Sequence, residues 1–220
     1  MFTELQGRQD VLVGELQHRT RNLITVVRAL SDRTILDAES LDDFQGRFAR
    51  RLAALSRVQG LLSNLSAGER IDFAELLRSE LAALGVADGA AKRVKLEGPA
   101  DVPLRSATIQ TFALALHELA TNAVKYGALS AAAPQGHLAV RWRVEPGTSE
   151  DPPVLYVDWR ERGVMMPRAG SAASGGGYGR ELIERALPYQ LGAETTYELG
   201  ADGVHCTIQV PISREGGHVE

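Results

Sequence analysis

Residues 114–130 read LALHELATNAVKYGALS, and within them Glu118, Asn122 and Lys125 recur at spacings of four and three. On a helix turning about 100° per residue, those spacings stack an acid, an amide and an amine in one row. Ile109, Phe112, Leu116, Leu119 and Ala123 fall on nearly the opposite side. Such a row has what a Mg-nucleotide site requires. Mg²⁺ prefers oxygen donors, and the Asn122 side-chain carbonyl supplies one without adding negative charge beside phosphates. Lys125 can offset phosphate charge, which leaves Glu118 to act as a base. A solvated polar face would look similar, but a mid-helix Asn is a poor helix former and calls for a reason.

Gly175, Gly176, Gly177 and Gly179 precede a second amphipathic stretch containing Leu182, Ile183, Ala186 and Leu187. Glycines ahead of a helix let backbone N–H groups approach a phosphate. The segment matches neither a P-loop, since no Gly-Lys-Ser/Thr follows, nor a dinucleotide fingerprint. Far upstream, His18 lies in a helical pattern roughly 135° from the centre of its apolar stripe. That orientation points to solvent, where a neutral imidazole is a good nucleophile near pH 7. Asn22 follows one turn later on the same face, with Arg21 near it. A lone surface histidine is the competing reading. His137, His205 and His218 have no comparable context and read as structural or exposed.

The elements that would position these groups can be read from hydrophobic spacing. Leu12, Leu16, Leu23, Val27 and Leu30 keep to one face of a helix over 3–36. Leu41, Phe44, Phe48, Leu52, Leu55, Val58, Leu62 and Leu65 do the same on a second helix, after the polar break DAES. Two such helices form a hairpin whose apolar stripes call for a second copy, as in a four-helix bundle. SAGER (66–70) reads as a linker, and Asp72 with Glu75 as a capping box opening a helix over 73–84. Further helices are predicted over 106–126 and 180–190. Strands are predicted at Val94–Leu96, His137–Val144, Val154–Trp159, Glu194–Leu199 and Val204–Pro211, the last two joined by the turn GADG. Helices and strands that do not strictly alternate imply an α+β fold: a helical hairpin, then an α/β sandwich with helices over one face of a mixed sheet.

Bulk composition narrows the function classes. The 220 residues are 44% hydrophobic and 24% charged, which is globular composition. The formal net charge is −4 with no long basic run, so nucleic acid is not an expected partner. Cys206 is the single cysteine, which suits a reducing cytoplasm. No apolar run approaches the roughly 20 residues of a membrane span, and the polar start MFTELQGRQD does not read as a secretory signal.

Taken together, the motifs resemble a known family. HELATNAVKYGALS resembles the nucleotide-binding N box of the HWE subfamily of sensor histidine kinases, with His117 as its histidine. Trp159-Arg160-Glu161 is similar to that subfamily's Trp-x-Glu motif. GYGRELIERALPYQLG looks like its second glycine box, and LQHRTRNLITVVRAL like its phosphoacceptor box. The chain departs from the family pattern at Gly163-Val164-Met165, where Gly-Gly-Pro is common. The resemblance implies a dimerisation and histidine-phosphotransfer domain over 1–66, a catalytic ATP-binding domain of the gyrase/chaperone/histidine-kinase/MutL type over 71–213, and a tail over 214–220. It implies ATP and Mg²⁺ as cofactors. His18 would be the phosphoacceptor, Glu118 the general base, and Asn122 the Mg²⁺ ligand. His117, Asn122, Lys125, Tyr126, Trp159, Glu161, Gly163, Gly177 and Gly179 would line the nucleotide, with Glu161 reading the adenine amino group. The implied partners are a response regulator, an upstream domain sensing light, redox state or a ligand, and a second copy of the chain. A phosphotransfer protein with a degenerate ATP domain, and a serine kinase or ATPase of the same superfamily, are the alternatives.

Overall fold

The structure is a computed structural model. It describes residues 20, 24–36, 38–63, 70–86, 92–148, 151–164 and 178–212. The chain divides into two compact units, Met1–Leu52 and Ala53–Glu220, with the division inside a helix. Among the described residues, no helix is long and apolar enough to cross a membrane.

In the first unit, residues 24–36 are helical (α1) and α2 begins at Leu41, running to Ser63. Ser40 caps α2, since its hydroxyl accepts from the Asp43 N–H at 3.1 Å. Asp43 reaches back to the Glu39 N–H at 3.2 Å, and Arg47 donates to it at 2.8 Å. That guanidinium holds the Asp43 carboxyl below its ordinary range. Between the two helices, buried Arg51 donates to the Thr34 hydroxyl at 2.8 Å, and Thr34 donates back to the Leu30 carbonyl at 2.5 Å. Leu30 is buried, whereas Ile24, Ile35, Leu36, Leu41 and Leu52 are exposed. The remainder of the predicted 3–36 helix, His18 included, lies outside the described residues.

The second unit carries the sheet. Its five strands are β2 (Val94–Glu97), β4 (His137–Glu145), β5 (Val154–Arg162), β7 (Gly203–Pro211) and β6 (Glu194–Gly200), in the order β2-β4-β5-β7-β6. The β2–β4 pair is parallel and the others antiparallel, so the sheet is mixed. A small antiparallel pair, β1 (Ile71–Asp72) with β3 (Pro103–Leu104), stands apart from it. The central strands β4 and β5 alternate buried and less buried residues, which leaves one face for the helices α3 (Phe73–Ala83) and α4 (Ser106–Lys125). The Phe73 ring meets the edges of Phe112 and Trp142, with centroids 5.5 and 5.4 Å away, in the geometry aromatic quadrupoles favour.

Two local expectations are corrected. Asp72 is the N-cap of α3 but makes no side-chain capping bond, and side-chain capping is instead seen at the start of α2, where Ser40 accepts from the Asp43 N–H and Asp43 from the Glu39 N–H. The predicted helix over 180–190 spans Tyr178–Leu191 in three pieces: α5 (Tyr178–Glu181), a π-helical turn (Leu182–Ala186) and α6 (Leu187–Leu191). Pro188 explains the break. It has no N–H to give the Glu184 carbonyl one turn back, and its ring crowds that carbonyl. Thr195 donates to the Ile183 carbonyl at 2.9 Å. Gly192 closes the helix at φ 61°, the left-handed conformation glycine adopts freely.

Candidate functional site

α4 carries the predicted row as expected. Ile109, Phe112, Leu116, Leu119 and Ala123 are fully buried. Glu118 and Asn122 are half-buried, and Lys125 is exposed in the last turn. The helix ends on the Asn122 carbonyl, which accepts from Tyr126 and Gly127 N–H at 2.8 and 2.9 Å. Tyr126 itself is 73% exposed.

The glycine segment meets this row. A Cβ built on Gly179 would sit 3.1 Å from Glu118 Cβ, 3.2 Å from its Oε2 and 3.3 Å from Asn122 Nδ2. The start of α5 therefore lies directly against the acid and amide of α4. Gly177 lies outside the described residues.

At the end of β5, Trp159 is fully buried and donates through its indole N–H to Glu161 Oε1 at 3.1 Å. The other oxygen, Oε2, accepts from the Ala128 N–H at 2.9 Å. Glu161 is 4% exposed. Burial pushes its carboxyl above the ordinary range, against the pull of these two donors. Tyr197 is half-buried, and its partial burial, with this charge near it, pushes its phenol up to about 12. Gly127 makes the approach possible, because a Cβ there would lie 2.0 Å from Glu161 Oε2. Trp159 thus orients Glu161 from within the core. Gly163 has φ 76°, and Val164 is buried and donates its N–H to the Asp202 carbonyl at 3.1 Å. No described non-glycine residue has a positive φ, so the backbone at Val164 does not demand the family's second glycine.

The loop after α4 is built around Arg93. Its guanidinium donates to the carbonyls of Gly136 (3.0 Å), Ala128 (2.5 Å) and Ala133 (2.6 Å), with Ser130 at 3.4 Å. The loop that gives Glu161 its N–H is held by one side chain from before β2. His117 faces elsewhere. It is 3% exposed, and its Nδ1 lies 3.0 Å from Glu80 Oε2 on α3. The structure thus brings together Glu118, Asn122 and Gly179, and separately Trp159 and Glu161, while His117 turns to α3. Glu80, Arg57, Arg93 and Gly127 were not singled out from sequence. Only Glu80 left a signal there: it falls on the apolar stripe of α3 beside Phe73, Leu76, Leu77 and Leu81. Of the remaining histidines, His137 is exposed and His205 pairs with Asp158 at 2.7 Å.

This architecture, helices over one face of a mixed sheet preceded by a helical pair, is that of histidine kinase domains. The histidine kinase domain of the Erythrobacter litoralis EL346 blue-light activated histidine kinase superposes with a TM-score of 0.55 at 22% identity, over 86% of this chain and 84% of that one. Residues 15–100 match the family model for HWE histidine kinases, and along nearly its whole length the chain is similar to proteins of that kind. A blue-light-activated histidine kinase of Rhizobium johnstonii is 28% identical over 207 residues, 94% of this chain and 55% of that protein. One of Brucella ovis is 29% identical over 214 residues, 96% of this chain and 41% of that protein. The chain spans about half the length of the curated relatives it matches.

Proposed function

We propose that this chain is the core of a two-component sensor histidine kinase, transferring the γ-phosphoryl group of ATP to its own His18. The observation that carries the reading is the seating of Gly179 against Glu118 and Asn122. It supplies the acid, the oxygen ligand and a close backbone approach on one surface, which fits a Mg-nucleotide. Asn122 would hold the Mg²⁺, which when bound offsets phosphate charge. Lys125 adds a cation. Tyr126, Gly163, Gly177 and Gly179 line the nucleotide, with Glu161 at the base end, oriented by Trp159. Glu118 orients the His18 imidazole and takes its proton as the nitrogen attacks the γ-phosphorus and the bond to the ADP oxygen breaks.

In this reading residues 1–66 form the phosphotransfer domain, which pairs with a second copy through its exposed apolar residues, and 71–213 the catalytic domain. The phosphohistidine passes its group to an aspartate of a response regulator in the cytoplasm, under control of a sensory domain. The test is incubation with labelled ATP. Wild type takes up acid-labile label, and His18→Gln takes up none while still binding ATP. A His18→Gln protein that labels like wild type removes His18 as the acceptor.

A further inference from the structure

Glu80 lies on α3 among Leu76, Leu77 and Leu81, and its side chain is 0% exposed. Its Oε2 accepts from Arg57 Nη2 at 2.7 Å and stands 3.0 Å from His117 Nδ1. Arg57 Nη2 is 3.2 Å from the same Nδ1. One carboxylate oxygen therefore gathers a guanidinium from the later turns of α2 and an imidazole from α4, and all three residues belong to the second unit. The cluster is only half satisfied. Among the described residues, Glu80 Oε1, His117 Nε2, Arg57 Nε and, one turn on from His117, Thr121 Oγ1 are buried and meet no hydrogen-bond partner.

A buried ion cluster with unmet atoms is a weak stabiliser. Apolar residues of similar volume often serve stability as well or better. What the cluster does supply is position, since Glu80 Oε2, already engaged by Arg57, sets where the His117 ring must sit to reach it. His117 immediately precedes Glu118, so a rotation of α4 that displaced His117 would carry Glu118 and Asn122 away from Gly179.

We propose that Glu80 and His117 are positioning residues for phosphoryl transfer: with Arg57 they fix the rotation of α4, and so the seat of Glu118 and Asn122 opposite Gly179. The proposal deepens the kinase reading and rests on it for the role of Glu118.

The test uses the full chain with His117→Leu and His117→Asn. Leu removes the donor but fills the space, and leaves Glu80 paired with Arg57. Asn restores an N–H close to the Nδ1 position. At saturating Mg-ATP, His117→Leu should lose roughly 10–10² in autophosphorylation rate, the worth of about 1 Å of misplacement. Its ATP affinity by calorimetry and its melting temperature should stay near wild type, and His117→Asn should recover most of the rate. A Leu variant at full rate overturns the proposal. So does one in which rate, affinity and melting temperature fall together without rescue by Asn, because that outcome describes packing alone. Hydrogen exchange along α4 reads the same positioning without any phosphoryl transfer. Faster exchange confined to residues 117–125 in His117→Leu supports the proposal, and in a wild type that transfers nothing it marks the kinase reading as the failure. Unchanged exchange sinks the positioning role whatever the activity.

Discussion

Glu118 and Glu161 are both acids near the proposed nucleotide, and their surroundings assign them different work. Glu118 is half-buried beside Gly179, where the proposed function puts the reacting group. Glu118→Gln keeps the shape and leaves the neighbouring Asn122 amide in place, so on the proposed function it should bind Mg-ATP about as well as wild type. Its autophosphorylation should slow by roughly 10²–10⁴-fold, the worth of a positioned acid–base group. The loss belongs to the chemical step, so single-turnover kinetics should show it with the affinity unchanged. Full-speed labelling would reduce Glu118 to part of a polar face. Glu161 is instead held by Trp159 and Ala128, with its carboxyl raised by burial. A raised acid binds more protons folded than unfolded, so its contribution to stability is present at low pH and declines as pH rises through the folded value. Glu161→Gln cannot accept from both N–H donors and should cost about 1–3 kcal/mol for the one left unpaired. Urea unfolding from pH 4 to 7 should show wild type losing its advantage over Glu161→Gln as pH rises. An advantage that grows with pH would contradict the burial argument.

Arg93 organises a whole loop, and its removal is the clearest local test of how β2, the 127–136 segment and Glu161 depend on one another. Arg93→Met strips the donors from Gly136, Ala128 and Ala133. With one or two carbonyls left unmatched, stability should fall by about 2–3 kcal/mol in denaturant unfolding. Because Ala128 also serves Glu161, the ATP affinity should fall more than the rate at saturation. A loss in rate alone would detach this loop from nucleotide binding. Nothing in the sequence singles out Arg93, because the acceptors are backbone carbonyls brought close only by tertiary folding. α4 was legible for the opposite reason: its apolar spacing runs unbroken from Ile109 to Ala123, and burial follows it. The long strands were legible from alternation, whereas two-residue β1 and β3 offer too few positions for any period. The capping arrangement was misread because Asp72 and Glu75 have the right types, while Ser40 and Asp43 have the geometry. His117 was grouped with the nucleotide by its motif, and only the structure shows that α3 presents a buried carboxylate to it.

The division of the chain within α2 places Ala53–Ser63 with the sheet and not with the first helices. Ala54, Leu55 and Val58 are buried there, and Arg57 supplies the cation for a carboxylate wholly cut off from water. Two shortened chains separate this boundary from one drawn at the linker. Residues 53–220 keep the apolar side chains and Arg57. Residues 71–220 lose both and leave Glu80 with His117 alone. Breaking a buried pair by removing one partner costs about 3–5 kcal/mol, before the lost apolar burial is counted. In a unit of this size that corresponds to a melting temperature lower by on the order of 10 °C. The 53–220 chain should therefore unfold in one cooperative transition, and the 71–220 chain at clearly lower temperature. Glu80→Leu should recover part of the loss in the shorter chain, since an apolar side chain there no longer needs a cation, and should not stabilise the longer chain to the same degree. Equal melting temperatures for the two chains would show that the end of α2 is dispensable to the second unit and that Glu80 is balanced without Arg57.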